Sequence, residues 1–194
     1  MDIGSNKKLF LKDIQLLKEE IIKSLSLVNL EPYREELKGR FNPERFREHF
    51  KEKASVHHIF KYVVIRLVED SMQKVNPKLN EDGLTNWHLL SKNFRNDYSM
   101  LYELAVLDVK REQDFKSIFE NTIYDEDSLN TKIVQCMGNY IPELSKYKWS
   151  TLDENVTMDL VEAVYPSDKR IELQKNMYSS PLVDFLLTQV GLYE

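Results

Sequence analysis

The chain has 194 residues, 42% of them apolar and 30% charged, with 5 glycines, 6 prolines, one cysteine and a formal net charge of −5. That apolar share sustains one sizeable core, while so little glycine and proline argues against a sandwich, a barrel, collagen or low-complexity disorder. The single cysteine, Cys136, excludes an intramolecular disulfide framework and a multi-cysteine zinc site, and a chain this acidic is on average a poor ligand for a polyanion.

Helical periodicity runs through the sequence. From Lys7 to Val28, Leu9, Ile14, Leu17, Ile21 and Leu25 recur at steps of three to five, with Lys12, Lys18, Glu19, Glu20 and Lys23 on the other side. Pro32 suits the first turn of a short helix closed by Gly39. Asn42-Pro43-Glu44 reads as an N-cap, a proline at the first helical position and an acid in the first turn, ahead of a charged helix carrying Phe46 and Phe50. Ser55 is read as the cap of the most hydrophobic helix, Ile59 to Val68, which is expected to be central and buried. Asn76-Pro77 through Asp82-Gly83 is expected to be a loop, with Thr85 opening a helix through Trp87, Leu90, Phe94 and Tyr98 and a further helical segment around Leu101 and Leu104. Residues 108–127 read as a polar connection with one turn around Phe115 and Phe119. Asp127 or Ser128 caps a helix that Gly138 stops, residues 139–153 read as loop-rich, and Val156 to Tyr165 is a helix ended by Pro166. A last helix starts at Ser180-Pro181. The expected architecture is all-α: an irregular multi-helix bundle over residues 1–150, with a looser helical extension over 151–194.

Charge is unevenly placed. Residues 1–66 hold 14 Lys and Arg against 10 Asp and Glu, and residues 67–194 hold 13 against 22. No run of 18 apolar residues exists, so no transmembrane helix is expected, and the polar opening Met1 to Asn6 is unlike a signal peptide; a cytoplasmic location is the default.

No complete catalytic constellation is legible. The five glycines never form G-x-G, so dinucleotide and phosphate-loop fingerprints are missing, as are H-E-x-x-H and C-x-x-C. His57 and His58 are adjacent, so their side chains leave a helix about 100° apart; the expectation is one half-buried ring, one surface ring and no metal. Cys136, beside Ile133, Val134 and Met137, reads as a small core residue. Tyr124 to Ser128 reads as a solvated acidic loop leading into an N-cap. Arg66 and Asp70, four residues apart, read as an ion pair where the central helix meets the surface, contributing about 0.2–0.5 kcal/mol.

Three stretches in order resemble N-6 adenine DNA methyltransferases of restriction-modification systems. Phe60 to Asp70 resembles the family's F-x-x-x-x-x-R-x-x-E-D helix. Leu101-Tyr102-Glu103-Leu104, followed by Phe115 to Asp125, is similar to the segment ending I-F-x-x-x-x-Y-D. Asp159 to Tyr165, then Lys169-Arg170, then Tyr178-Ser179-Ser180-Pro181 to Leu187, is similar to the lead-in to the catalytic domain, with its Y-T-P turn. The resemblance runs from about residue 55 to the end. It departs where the family has a glycine ahead of that turn, a stretch occupied here by Gln174-Lys175-Asn176.

The resemblance implies that Tyr178, Ser179 and Pro181 belong to the S-adenosylmethionine pocket of a full assembly; a serine hydroxyl at a helix start suits a carboxylate. The family's glycine-rich cofactor loop and N-P-P-Y-type motif lie beyond the matched stretches. The chain is therefore expected to be a non-catalytic N-terminal helical part, with no catalytic residue and no cofactor of its own, whose partners are a catalytic methyltransferase domain or subunit and double-stranded DNA. Arg34, Lys38, Arg40, Arg45, Arg47, Lys51 and Lys53 are the candidate phosphate contacts. The alternative is a stand-alone helical interaction or regulatory protein, phage-encoded in one version, whose acidic two-thirds meets a basic partner.

Overall fold

The computed structural model describes residues 1–36, 45–91 and 97–167, without the side chains of Glu35, Glu36 and Ser128. Seven α-helices order the described residues: α1 (Lys7–Leu25), α2 (Glu31–Glu36), α3 (Phe46–Leu67), α4 (Glu81–Leu90), α5 (Tyr98–Arg111), α6 (Asp127–Leu144) and α7 (Glu154–Val164). The all-α reading is therefore correct for them, and none of these helices is long and apolar enough to cross a membrane.

Helix α1 buries Phe10, Ile14, Leu17, Ile21 and Leu25, while Leu9 faces solvent. The buried stripe steps by three and four from Phe10, and Leu9 stands one residue round the helix from it. This stripe packs against α3, α6 and α7.

Helix α3 is the centre of the bundle. It is one 22-residue helix in place of the two read from sequence, and every residue from Ala54 to Arg66 is buried. Ser55 caps nothing; its hydroxyl donates to the Glu52 carbonyl at 2.6 Å inside the continuous helix. That back-bond satisfies a buried hydroxyl without ending the helix. The proposed Asn42 cap lies outside the described residues, as does the helix expected at Ser180-Pro181.

Further helix limits differ from expectation: the helix read through Leu90 to Tyr98 ends at Leu90, and Tyr98 opens α5 behind the Asp97 cap. Helix α4 opens at Glu81, because the Asn80 side chain accepts from the Gly83 backbone N–H at 2.8 Å, so Asp82 and Gly83 are its first turn. Gly83 is needed there: a Cβ at that position would lie 2.4 Å from the Lys78 backbone. Helix α6 runs through Gly138 and Pro142 to Leu144, taking the first six residues of the expected loop-rich stretch. A Cβ at Gly138 would stand 2.6 Å from Ser99 Oγ and 2.7 Å from Ser99 N, so this glycine lets the start of α5 cross α6 closely.

The N-terminus is stitched across the bundle. Asp2 forms an isolated parallel bridge with Lys148, Lys148 N–H donates to the Met1 carbonyl at 2.9 Å, and Ile3 N–H donates to Thr151 Oγ1 at 3.0 Å. Ile3 itself is fully buried.

Candidate functional site

Two buried polar junctions lie along α3. The first is at its C-terminal end, where Val68–Met72 forms one π-helical turn and Gln73 turns the chain with a left-handed φ of 53°. Such wide turns frequently mark functional positions in helices. Arg66, completely buried, donates to the Leu79 and Tyr147 carbonyls, the latter at 3.2 Å, and to Asp70 Oδ2 at 2.5 Å; its Nε lies 3.8 Å from Glu69 Oε2. Glu69 accepts from the Lys78 and Leu79 N–H groups at 2.9 and 3.1 Å, and Asp70 accepts from Asn80 Nδ2 at 3.0 Å and Trp149 N–H at 3.2 Å. The expected Arg66–Asp70 pair exists, but as the hub of a buried network joining α3, the 78–80 turn and the 147–149 turn. Burial works against the Arg66 charge, and Tyr62, Asp70 and Glu69 overcome it, holding the guanidinium above its usual range. Burial likewise raises the Glu69 carboxyl. A cleft of about 500 Å³ opens over this junction, lined among others by Glu69, Asp70, Asn80, Glu81, Lys146 and Lys148.

The second junction lies where the middle of α3 meets the turn ahead of α6. His57 and His58 are both buried, with ring centroids 4.9 Å apart and planes at 88°. This corrects the expectation of one surface ring: α3 is enclosed on all sides here, so two directions 100° apart both lead inward. The Asp125 side chain is only 5% exposed, while Glu126 and Asp127 are exposed, so the expected solvated loop holds for the second half of that stretch and not for its first. Thr122 and Asp125 form a capping box, in which Thr122 N–H and Oγ1 reach Asp125 Oδ2 at 2.9 and 3.0 Å. His57 Nε2 lies 3.1 Å from the same oxygen, and Lys61 Nζ donates to Oδ1 at 2.7 Å. His58 Nε2 sits 2.8 Å from the Tyr124 carbonyl oxygen. Burial, with His57 and Lys61 adding like charge, pushes His58 down to about 3, so it is neutral near pH 7. Burial opposes the Asp125 charge, but His57, Lys61 and His58 hold its carboxyl far below the usual carboxylate range. The sequence signal for this turn was Thr122-x-x-Asp125, the short-acid form of the capping-box pattern.

The candidate phosphate contacts are spread over α2 and the first half of α3. Arg34 faces Glu31 at 3.4 Å, Arg45 faces Glu48 at 3.8 Å, and Lys51 Nζ donates to Ser26 Oγ at 3.0 Å. Arg47 is exposed and shares one side of α3 with Lys51, four residues on; Lys53 is half-buried and leaves the helix in another direction. Lys38 and Arg40 lie outside the described residues, as do Tyr178, Ser179 and Pro181. Cys136 is half-buried against α1, its sulfur 3.9 Å from the Glu20 carbonyl oxygen.

Helix α5 carries two apolar faces. Leu101, Tyr102, Ala105 and Val109 point into the bundle, and Met100, Leu104 and Leu107 form a second stripe, each 38–47% exposed. At the end of α4, Leu89 and Leu90 are 69% and 83% exposed. Scattered surface leucines are ordinary, but a second stripe at helical spacing is a binding signature.

The fold and these junctions define the class as an all-α bundle with a charged seam through its central helix. No protein-family model, curated protein or solved structure matches the chain.

Proposed function

We propose that this chain is a non-catalytic helical module that works by docking on a larger protein partner. The observation that carries the reading is the outward stripe of Met100, Leu104 and Leu107 on α5, on a helix whose opposite face is already committed to the core. Amphipathic faces of this kind bind through anchors at positions i, i+4 and i+7. In keeping with the resemblance, the partner is the S-adenosylmethionine-binding catalytic domain or subunit of an N-6 adenine DNA methyltransferase from a restriction-modification or phage-defence system. DNA then runs past the basic positions of α2 and α3, which add phosphate contacts without reading sequence.

A second reading draws on the same stripe: a stand-alone interaction or regulatory protein. Its support is the acidic balance of residues 67–194, which favours a basic partner.

The test has two arms. Calorimetric titration of S-adenosylmethionine into this chain, with and without an adenine-containing duplex, is expected to give no cofactor binding; saturable binding refutes the non-catalytic assignment. In sedimentation with a catalytic subunit of an N-6 adenine DNA methyltransferase, Leu104→Glu with Leu107→Glu is expected to abolish association while leaving the monomer folded. Association that survives the pair refutes the docking face, and a wild-type chain that ignores that subunit favours the second reading.

A further inference from the structure

The geometry points to a transition-metal site, zinc foremost, formed by His57, His58 and Asp125 where α3 meets the turn ahead of α6. One ring nitrogen from each histidine and one carboxylate oxygen lie within 4.8 Å of one another. Ligands held about 2.0–2.2 Å from a tetrahedral ion stand about 3.3 Å from each other. His57 Nε2 and Asp125 Oδ2 already have that spacing, at 3.1 Å. Two imidazoles and one carboxylate are a donor set suited to zinc and neighbouring divalent metals, leaving room for a water.

Three further features of the site suit an ion. The carboxylate is oriented from behind, by Thr122 N–H and Oγ1 on Oδ2 and by Lys61 on Oδ1, as outer-shell groups orient ligands at metal centres. His58 Nδ1 is fully buried without a hydrogen-bond partner among the described residues, an expense a protein rarely leaves uncompensated. There is also an approach: Asp125 lines a surface depression of about 370 Å³, with exposed Glu126 and Asp127 at its rim to draw a cation inward. On binding, the ion takes the place of the proton bridging His57 Nε2 and Asp125 Oδ2, and that proton leaves to solvent.

Lys61 gives the site an unusual electrostatic signature. Its ammonium stands 2.7 Å from Asp125 Oδ1 and so repels an ion on Oδ2. Removing that charge is expected to tighten metal binding, whereas removing a ligand loosens it. A purely structural ion pair moves metal affinity in neither direction.

The experiment uses the full chain stripped with a chelator, titrated with cobalt(II) as an optical probe and with zinc in competition. One equivalent is expected, with visible ligand-field absorption of a tetrahedral or five-coordinate ion. His57→Gln and Asp125→Asn should each loosen binding by at least about tenfold, and Lys61→Gln should tighten it. The wild-type chain provides the control for folding: zinc should shift the ring-nitrogen resonances of His57 and His58 and leave those of His49 and His88 unmoved. Absence of a one-equivalent step, unaltered affinity in the folded ligand variants, or shifts confined to His88 overturns the site.

Discussion

Replacing Arg66 by methionine tests the central helix most directly. The side chains are similar in volume, so much of the packing is kept and the change is mainly electrical. Arg66 is completely buried, and the side chains of Glu69 and Asp70 beside it are 1% and 9% exposed. The variant leaves two buried carboxylates without their shared cation and the Leu79 and Tyr147 carbonyls without a donor. Breaking a buried ion set by removing one partner costs about 3–5 kcal/mol, a large part of the roughly 5–15 kcal/mol that holds a domain folded. The loss carries a pH signature. The Glu69 carboxyl is already raised in the fold, and without Arg66 it rises further. A raised carboxyl binds its proton more tightly in the folded state, so the penalty is largest near pH 7 and shrinks as acidification neutralises Glu69. Urea unfolding followed by circular dichroism at pH 7 and pH 5 measures both effects. A loss under about 1 kcal/mol at pH 7, or an equal loss at both pH values, would refute the reading of Arg66 as a buried hub.

Gly138→Val is expected to destabilise by about 1–3 kcal/mol through overpacking against Ser99, although propensity alone favours a side chain in mid-helix; a thermal midpoint at or above that of the parent contradicts the close crossing. His58, lowered in the fold to about 3 from 6.5, resists protonation that the unfolded chain accepts. Stability is therefore fully present above about pH 6.5 and falls by up to about 1.4 kcal/mol per unit below it. His58→Gln should flatten the pH dependence of the urea midpoint between pH 7 and 4.5, and an unchanged slope rules out a buried neutral imidazole. Charge reversal at Arg45 and Arg47 in the proposed assembly should weaken DNA binding equally across sequences and reduce its salt slope; fluorescence anisotropy at several salt concentrations reads both, and unchanged binding removes these residues from the interface.

What could be read from sequence follows from which forces are local. The stripe of α1, the helical character of α7 and the burial of α3 rest on periodicity within a few residues, and they are legible apart from the shift from Leu9 to Phe10 and the start of α7 at Glu154 in place of Val156. Serine and glycine are ambiguous because the same residue ends a helix or serves one. Ser55 caps when its helix begins there and back-bonds when the helix continues; Gly138 ends a helix when solvent follows and permits a crossing when Ser99 lies across it. Only the partner, 39 residues away in the second case, decides. The polar junctions escaped for the same reason. Lys61, Arg66 and Glu69 look like a solvated helix face until the residues around 79, 125 and 147 close over them. Residues 57 and 125 carry no local sign that they meet.

The stitch between Met1–Ile3 and residues 146–151 bears on the order of events as the chain is made. Residues 1–3 have nowhere to settle until the distant segment 146–151 has followed them. Helix α1 also waits for α6 and α7 to cover its buried stripe. Until then the part of that stripe that α3 leaves uncovered stays open to holdase chaperones or to another nascent copy. Closure of the bundle is thus tied to synthesis of residues 146–164, and a bulky extension on the Met1 amine, which donates to the Lys146 carbonyl, interferes with that late step.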